Sequence, residues 1–82
     1  MEITIYSKPR CAMCEATKRF FEKAGVEYAE IDVTKDETAF QHVVDLGFFA
    51  APVVEAGDLV WAGLRPDLIN QVAKLVGAGE RT

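Results

Sequence analysis

Apolar and polar positions alternate through Glu2–Tyr6, where Ile3 and Ile5 flank the β-branched Thr4; this pattern predicts a strand. Pro9 breaks it, so Ser7-Lys8-Pro9-Arg10 is expected to be a loop. From Ala12 to Ala24 the period changes. Met13, Phe20 and Phe21, with Thr17 and Ala24, recur with the 3.6-residue spacing of an amphipathic helix, and Gly25 is placed to end it. Val26–Val33 alternates around Tyr28, Ile31 and Val33 and predicts a second strand. Thr34 followed three residues later by Glu37 has the form of a capping box. The helix it would open buries Ala39, Phe40, Val43 and Val44 and stops near Gly47. Pro52-Val53-Val54-Glu55 predicts a short strand and Ala56-Gly57-Asp58 a turn. Leu59–Ala62 completes a hairpin. Pro66 suits the first turn of a last helix, whose inward face would be Leu68, Ile69, Val72, Ala73 and Val76. Gly77 should end it, leaving residues 78–82 to fray.

The resulting order, β-α-β-α-β-β-α, constrains the topology. The first β-α-β makes a parallel pair through a right-handed crossover, and the hairpin adds two antiparallel strands. The expected fold is an α/β, four-stranded mixed sheet with helices on both faces, one domain spanning residues 1–82. Half of the residues are apolar, which suits a packed globule. Nine basic against thirteen acidic residues give a net charge of −4, which argues against nonspecific nucleic-acid binding. The longest run without a polar side chain, Gly47–Val54, is far short of the roughly 20 residues a membrane helix needs. No basic region followed by an apolar stretch opens the chain, so neither a signal peptide nor a membrane partner is expected. Two cysteines three apart do not resemble a secreted disulfide scaffold. A reducing, cytoplasmic setting is the expectation.

Those cysteines carry the chemistry. Cys11-Ala12-Met13-Cys14 falls where the first loop meets the first helix. A thiolate is the nucleophile in disulfide exchange, and the free N–H groups and dipole of a helix N-terminus stabilise negative charge there. Lys8 and Arg10 can add positive charge. One helical turn, about 5.5 Å, separates the cysteines and suits a disulfide. Cys11 is therefore assigned as the exposed attacking thiol and Cys14 as the covered resolving thiol. Zinc would need four ligands, and only His42 remains as a nitrogen donor, so no metal site is expected. A purely structural bridge of this length would remove little chain entropy. A redox-active Cys11–Cys14 disulfide, with no other cofactor, remains. Pro52 could be an ordinary strand-edge proline. It is read instead as following a cis Ala51–Pro52 bond, in a turn whose backbone would present an N–H and a C=O beside Cys11 for a bound chain. Lys8, Ala12, Met13, Ala51, Pro52 and Val53 together make the expected partner-binding surface. His42 has no evident acid–base partner, and a helix-surface or packing role is assigned to it.

Tyr6-Ser7-Lys8-Pro9-x-Cys11-x-x-Cys14 and Ala51-Pro52-Val53-Val54 resemble the glutaredoxin-like thioredoxin fold over nearly the whole chain. Trp61-Ala62-Gly63-Leu64-Arg65-Pro66-Asp67 is more specific and resembles the W-S-G-F-R-P-[DE] segment of the NrdH-redoxins. Here Ala62 stands for serine and Leu64 for phenylalanine. The resemblance implies a small, monomeric electron donor. Its partners would be the C-terminal cysteines of the ribonucleotide reductase large subunit and, as its own reductant, thioredoxin reductase. Trp61 and Arg65 are expected to act structurally, Trp61 packed under the last helix and Arg65 bonding across to neighbouring loops. Two alternatives stay open: a glutathione- or mycothiol-linked glutaredoxin, and a binding protein holding a metal or iron–sulfur cluster through Cys11.

Overall fold

The computed structural model describes residues 1–77; the expected frayed tail, residues 78–82, lies outside the described residues. Its elements are β1 (Ile3–Ser7), α1 (Ala12–Lys23), β2 (Ala29–Asp32), α2 (Glu37–Asp45), β3 (Val53–Ala56), β4 (Leu59–Ala62) and α3 (Pro66–Val76). The strands lie in the order β2-β1-β3-β4. β1 and β2 are parallel, and the β1–β3 and β3–β4 pairs are antiparallel. This is the four-stranded mixed sheet with three helices that the element order implies.

Alternation along β1 and β3 divides the core between the two faces of the sheet. On one face Ile3, Ile5, Val54 and Ala56 pack with Trp61, Phe21 of α1 and Ile69, Val72 and Ala73 of α3. On the other, Tyr6 and Val53 pack with Ala39 and Val43 of α2. The strand order brings the C-terminal end of β1, which leads to Cys11, beside the start of β3, which follows Pro52.

Four local expectations are corrected. Met13 and Phe20 do not point inward; they are 49% and 39% exposed, and Cys14, Thr17 and Phe21 are the buried residues of α1. The inward stripe is turned by one residue, because a cysteine and a threonine fill it as well as a hydrophobe does. Val26 is buried as a core plug next to the left-handed turn at Gly25 (φ 72°), so the second strand shrinks from residues 26–33 to Ala29–Asp32. The capping box is absent. Asp36 caps α2, its Oδ1 accepting from the Ala39 N–H at 2.9 Å. Thr34 is held instead by Asp32, whose Oδ1 accepts from the Thr34 N–H and hydroxyl at 2.8 and 2.6 Å. An aspartate one residue from the helix outcompetes a threonine set back in a turn. Finally, on α2 Phe40 is 51% exposed and Val44 only half-buried.

A polar network ties α1 to the parallel strand pair. The Lys18 ammonium lies 2.8 Å from Glu15 Oε2 and 3.0 Å from Glu30 Oε2, and the buried Ser7 hydroxyl donates to Glu30 at 2.8 Å. The Lys18 and Ser7 hydrogen bonds hold the Glu30 carboxyl below its ordinary value of 4.5. A depressed carboxylate contributes stability above its unfolded pKa and loses it as pH falls through the lower folded value. Glu30→Gln is therefore expected to be slightly less stable than the parent near neutrality, by less than about 1 kcal/mol because Glu30 is part-exposed. It should also lose less stability on acidification below the ordinary value. Urea midpoints at neutral and acid pH check this; parallel acid limbs for the two proteins would refute it.

Candidate active site

The site begins with a chain reversal. Pro9 and Arg10 form a turn after β1, with Arg10 at φ 59°, a conformation non-glycine residues rarely adopt. The turn delivers Cys11 in extended conformation (φ −116°, ψ 103°) to the N-cap of α1. The Cys11 Sγ accepts from the Cys14 backbone N–H at 3.1 Å, where a serine or aspartate oxygen normally sits in a helix cap. Cys11 and Cys14 are joined in a disulfide with Cα atoms 5.2 Å apart. Cys14 is fully buried and Cys11 half-buried. When the bridge opens, the N–H and helix dipole that now meet a disulfide sulfur would meet a thiolate, the charge they favour most. Among the described residues no cluster of three His, Cys, Asp or Glu side chains has the spacing to hold a metal.

The Ala51–Pro52 bond is cis, as expected. The Pro52 carbonyl is not free to pair with a partner, however; it accepts the Gly63 N–H at 2.8 Å. Gly63 holds φ 85°, where a side chain would be strained, so the glycine of the Trp61–Pro66 segment is what anchors the proline loop. The backbone of Ala51, one residue earlier, makes no hydrogen bond among the described residues and is left for a bound chain.

Between Lys8 and Ala51 opens an apolar groove of about 330 Å³, floored by Val43 and walled by Phe40, Phe48 and Phe49. Phe49 is 86% exposed, the most exposed of the large apolar side chains among the described residues. These phenylalanines were missed as site residues. Two adjacent aromatics, Phe48-Phe49, in the loop just before the proline were the available signal. Lys8, Ala12 and Met13 are all exposed around the disulfide, whereas Val53 is buried against α2 and contributes only through its backbone in the β1–β3 ladder.

Trp61 is buried with the α3 residues Ile69, Val72 and Ala73, as expected, and its indole N–H has no protein partner among the described residues. Leu64 packs onto the same cluster. Pro66 opens α3. Arg65 does not reach neighbouring loops. Its Nε and Nη2 donate to Asp67 at 3.2 and 3.0 Å, a local clasp between two exposed groups. His42 does have a partner: its Nε2 lies 3.0 Å from Glu55 Oε1, which also accepts the Tyr6 hydroxyl at 2.7 Å. Burial, followed by the bond to Glu55, pushes the Tyr6 phenol up to about 12. Burial raises the Glu55 carboxyl, but the Tyr6 and His42 hydrogen bonds outweigh it and leave the group below its ordinary value. A helix residue and a strand residue thirteen positions apart meet only because α2 packs on the face of the sheet that carries Glu55, which is why the pairing was invisible in the sequence.

A C-x-x-C disulfide that caps a helix, with one sulfur reachable and the other behind it, is built to exchange with foreign disulfides; the chain is a thiol–disulfide oxidoreductase of the thioredoxin fold. Residues 3–61 match the glutaredoxin family model. The chain is 44% identical to the glutaredoxin-like protein NrdH of Escherichia coli, over 88% of this chain and 89% of that one, and 32% identical to NrdH of Lactococcus lactis, over 89% and 97%. Its fold superimposes on the solved NrdH-redoxin from E. coli, a glutaredoxin-like protein with a thioredoxin-like activity profile. The TM-score is 0.84, with 45% identity over 87% of this chain and 93% of that one. This chain belongs to the glutaredoxin family and, within it, to the NrdH glutaredoxin-like proteins.

Proposed function

We propose that this protein is an NrdH-type hydrogen donor: it reduces the C-terminal cysteines of the ribonucleotide reductase large subunit and is itself reduced by thioredoxin reductase. The observation that supports this most directly is the half-exposed Cys11 sulfur at the α1 N-terminus, backed by buried Cys14, in a chain of the NrdH family. In the dithiol form the Cys11 thiolate attacks one sulfur of the partner disulfide. The partner's other sulfur leaves as a thiolate and is protonated. Cys14 gives up its proton and attacks the Cys11 sulfur, which closes the internal disulfide and releases the partner's second thiol. Two electrons and two protons pass to the partner, and thioredoxin reductase returns them. The Cys11–Cys14 disulfide is the only redox group this scheme needs.

The groove beside Ala51 suits the extended tail of a partner. Its aromatic walls bury side chains while the unpaired Ala51 backbone can bond the chain. We propose that the protein works as a monomer in the cytoplasm, without nucleic acid or membrane. The test is a ribonucleotide reductase assay in which this protein is the only dithiol and NADPH with thioredoxin reductase the only electron source. Sustained deoxyribonucleotide formation at catalytic concentrations of the redoxin is expected. Failure there, alongside rapid reduction of other disulfides, would reject the reading.

A further inference from the structure

Charge is distributed unevenly along this acidic chain. Residues 8–23, the redox loop and α1, carry the basic residues Lys8, Arg10, Lys18, Arg19 and Lys23 and the acidic residues Glu15 and Glu22, a local balance of +3 (five minus two) within a protein of net −4. Both acids of α1 are engaged: Glu15 pairs with Lys18, and Glu22 accepts the Tyr28 hydroxyl at 2.6 Å. Arg19 and Lys23 make no ion pair among the described residues.

Helical geometry sets where these groups lie. At 100° per residue, Ala12, Ala16, Arg19 and Lys23 fall on the side of α1 opposite the buried Cys14, Thr17 and Phe21. Met13 and Phe20 flank that stripe on one side, and the engaged Glu15 and Glu22 lie on the other. A shallow depression of about 130 Å³, lined by Ala16, Arg19, Phe20 and Lys23, opens on it, with Phe20 39% exposed. The helix dipole accounts for a cation in the last turn at Lys23, but not for Arg19 or for an exposed phenylalanine between the two. The stripe starts at Ala12, next to Cys11 and with Met13 on its flank, and is therefore continuous with the place where a foreign disulfide must sit.

We propose that this face of α1 is a second docking surface for the protein disulfide partner, taking an acidic segment with an apolar side chain: carboxylates on Arg19 and Lys23, the apolar group against Phe20. The inference rests on the oxidoreductase reading above, because the occupant is the flank of the segment whose disulfide Cys11 attacks. The twelve residues from Ala12 to Lys23 span about 16 Å, so an extended flank of about five residues reaches from the disulfide to Lys23. An acidic flank would also be steered to the basic end of the molecule and kept off the acidic remainder.

The test uses two synthetic peptides, each closed by a Cys-x-x-Cys disulfide. One carries Asp, Glu and Leu about five residues to either side of the bridge, and the other carries Lys in place of the acids. Their reduction by the dithiol protein is compared with that of 2,2′-dithiodipyridine, an uncharged disulfide too small to reach α1. The acidic peptide should react at least about tenfold faster than the basic one at low salt, a preference that shrinks toward unity near 1 M salt, where the Debye length falls to about 3 Å. Arg19→Glu/Lys23→Glu should erase the preference and leave the dithiodipyridine rate unchanged. Phe20→Ser should slow the acidic peptide at every salt concentration. An unaltered preference in the charge-reversed variant, or equal changes with both peptides, overturns the proposal. So does Arg19- and Lys23-dependent sedimentation with phosphatidylglycerol vesicles in the absence of a peptide preference, which would make a lipid surface the occupant. A parent protein that reduces neither peptide nor dithiodipyridine overturns the oxidoreductase reading itself, and docking with it.

Discussion

Cys14→Ser is expected to accumulate a one-to-one mixed disulfide with a partner protein through Cys11, whereas Cys11→Ser should lose disulfide reductase activity by at least about three orders of magnitude, as removal of a nucleophile generally does. The asymmetry follows from position. Cys14 is fully buried beneath the first turn of α1, so no foreign sulfur can approach it in line. Cys11 is half-exposed at the N-cap, and the Cys14 N–H points at its sulfur from 3.1 Å. Removing Cys14's sulfur leaves that N–H and the helix terminus in place, so the first attack proceeds while the release step is lost. Mass spectrometry of the trapped species under non-reducing conditions identifies the linked cysteine. Trapping by Cys11→Ser in place of Cys14→Ser would reverse the assignment, and equal trapping by both would mean that the helix terminus does not discriminate between them.

Turnover with NADPH and thioredoxin reductase is expected to exceed that with NADPH, glutathione reductase and glutathione by at least about tenfold, the discrimination of a few lost or blocked polar contacts at one carboxylate. Glutathione is an anionic tripeptide and needs donors at both ends. Lys8 is exposed and could hold one carboxylate. The other is held, in glutaredoxins, by a Gly-Gly followed closely by Asp or Asn at the start of the last helix, where backbone N–H groups can approach an anion. Here that turn is Gly63-Leu64-Arg65-Pro66-Asp67. Leu64 adds bulk, and Pro66 occupies the first helical position and removes an N–H. The Gly63 N–H is already taken by the Pro52 carbonyl. Arg65 could have rescued carboxylate binding by its charge, but two of its nitrogens clasp Asp67, so a glutathione carboxylate would have to displace an acid already in place. Comparable or faster turnover with glutathione would place the protein functionally among the ordinary glutaredoxins.

Those two expectations draw differently on sequence and structure. The order of the elements, the pairing of Cys11 with Cys14 across one helical turn, and the proline at the start of β3 were legible because each depends on local spacing: a period of two or 3.6, a ring that fixes φ, a fixed rise per residue. The Trp61–Asp67 segment marked the family for the same reason, as a run of contiguous residues.

What stayed illegible depended on residues brought together from a distance. Hydrophobicity cannot say which apolar side chains face inward when a cysteine and a threonine fill the core as well as Met13 and Phe20 would. Phe40 and Phe49 were therefore taken as core or passed over, although the fold leaves them exposed along the groove. Asp36 and Thr34 compete for one cap, and the path of the chain out of β2 decides between them. The partners of His42 and Arg65, the capture of the Pro52 carbonyl by Gly63, and the network from Ser7 through Glu30 to Lys18 all join separate elements or depend on how a loop turns. The sequence by itself determined the fold class and the reacting atoms, because both rest on short-range geometry. Only the tertiary structure decided which surfaces surround those atoms, because burial and hydrogen-bond partnership belong to packed elements and not to positions along a chain.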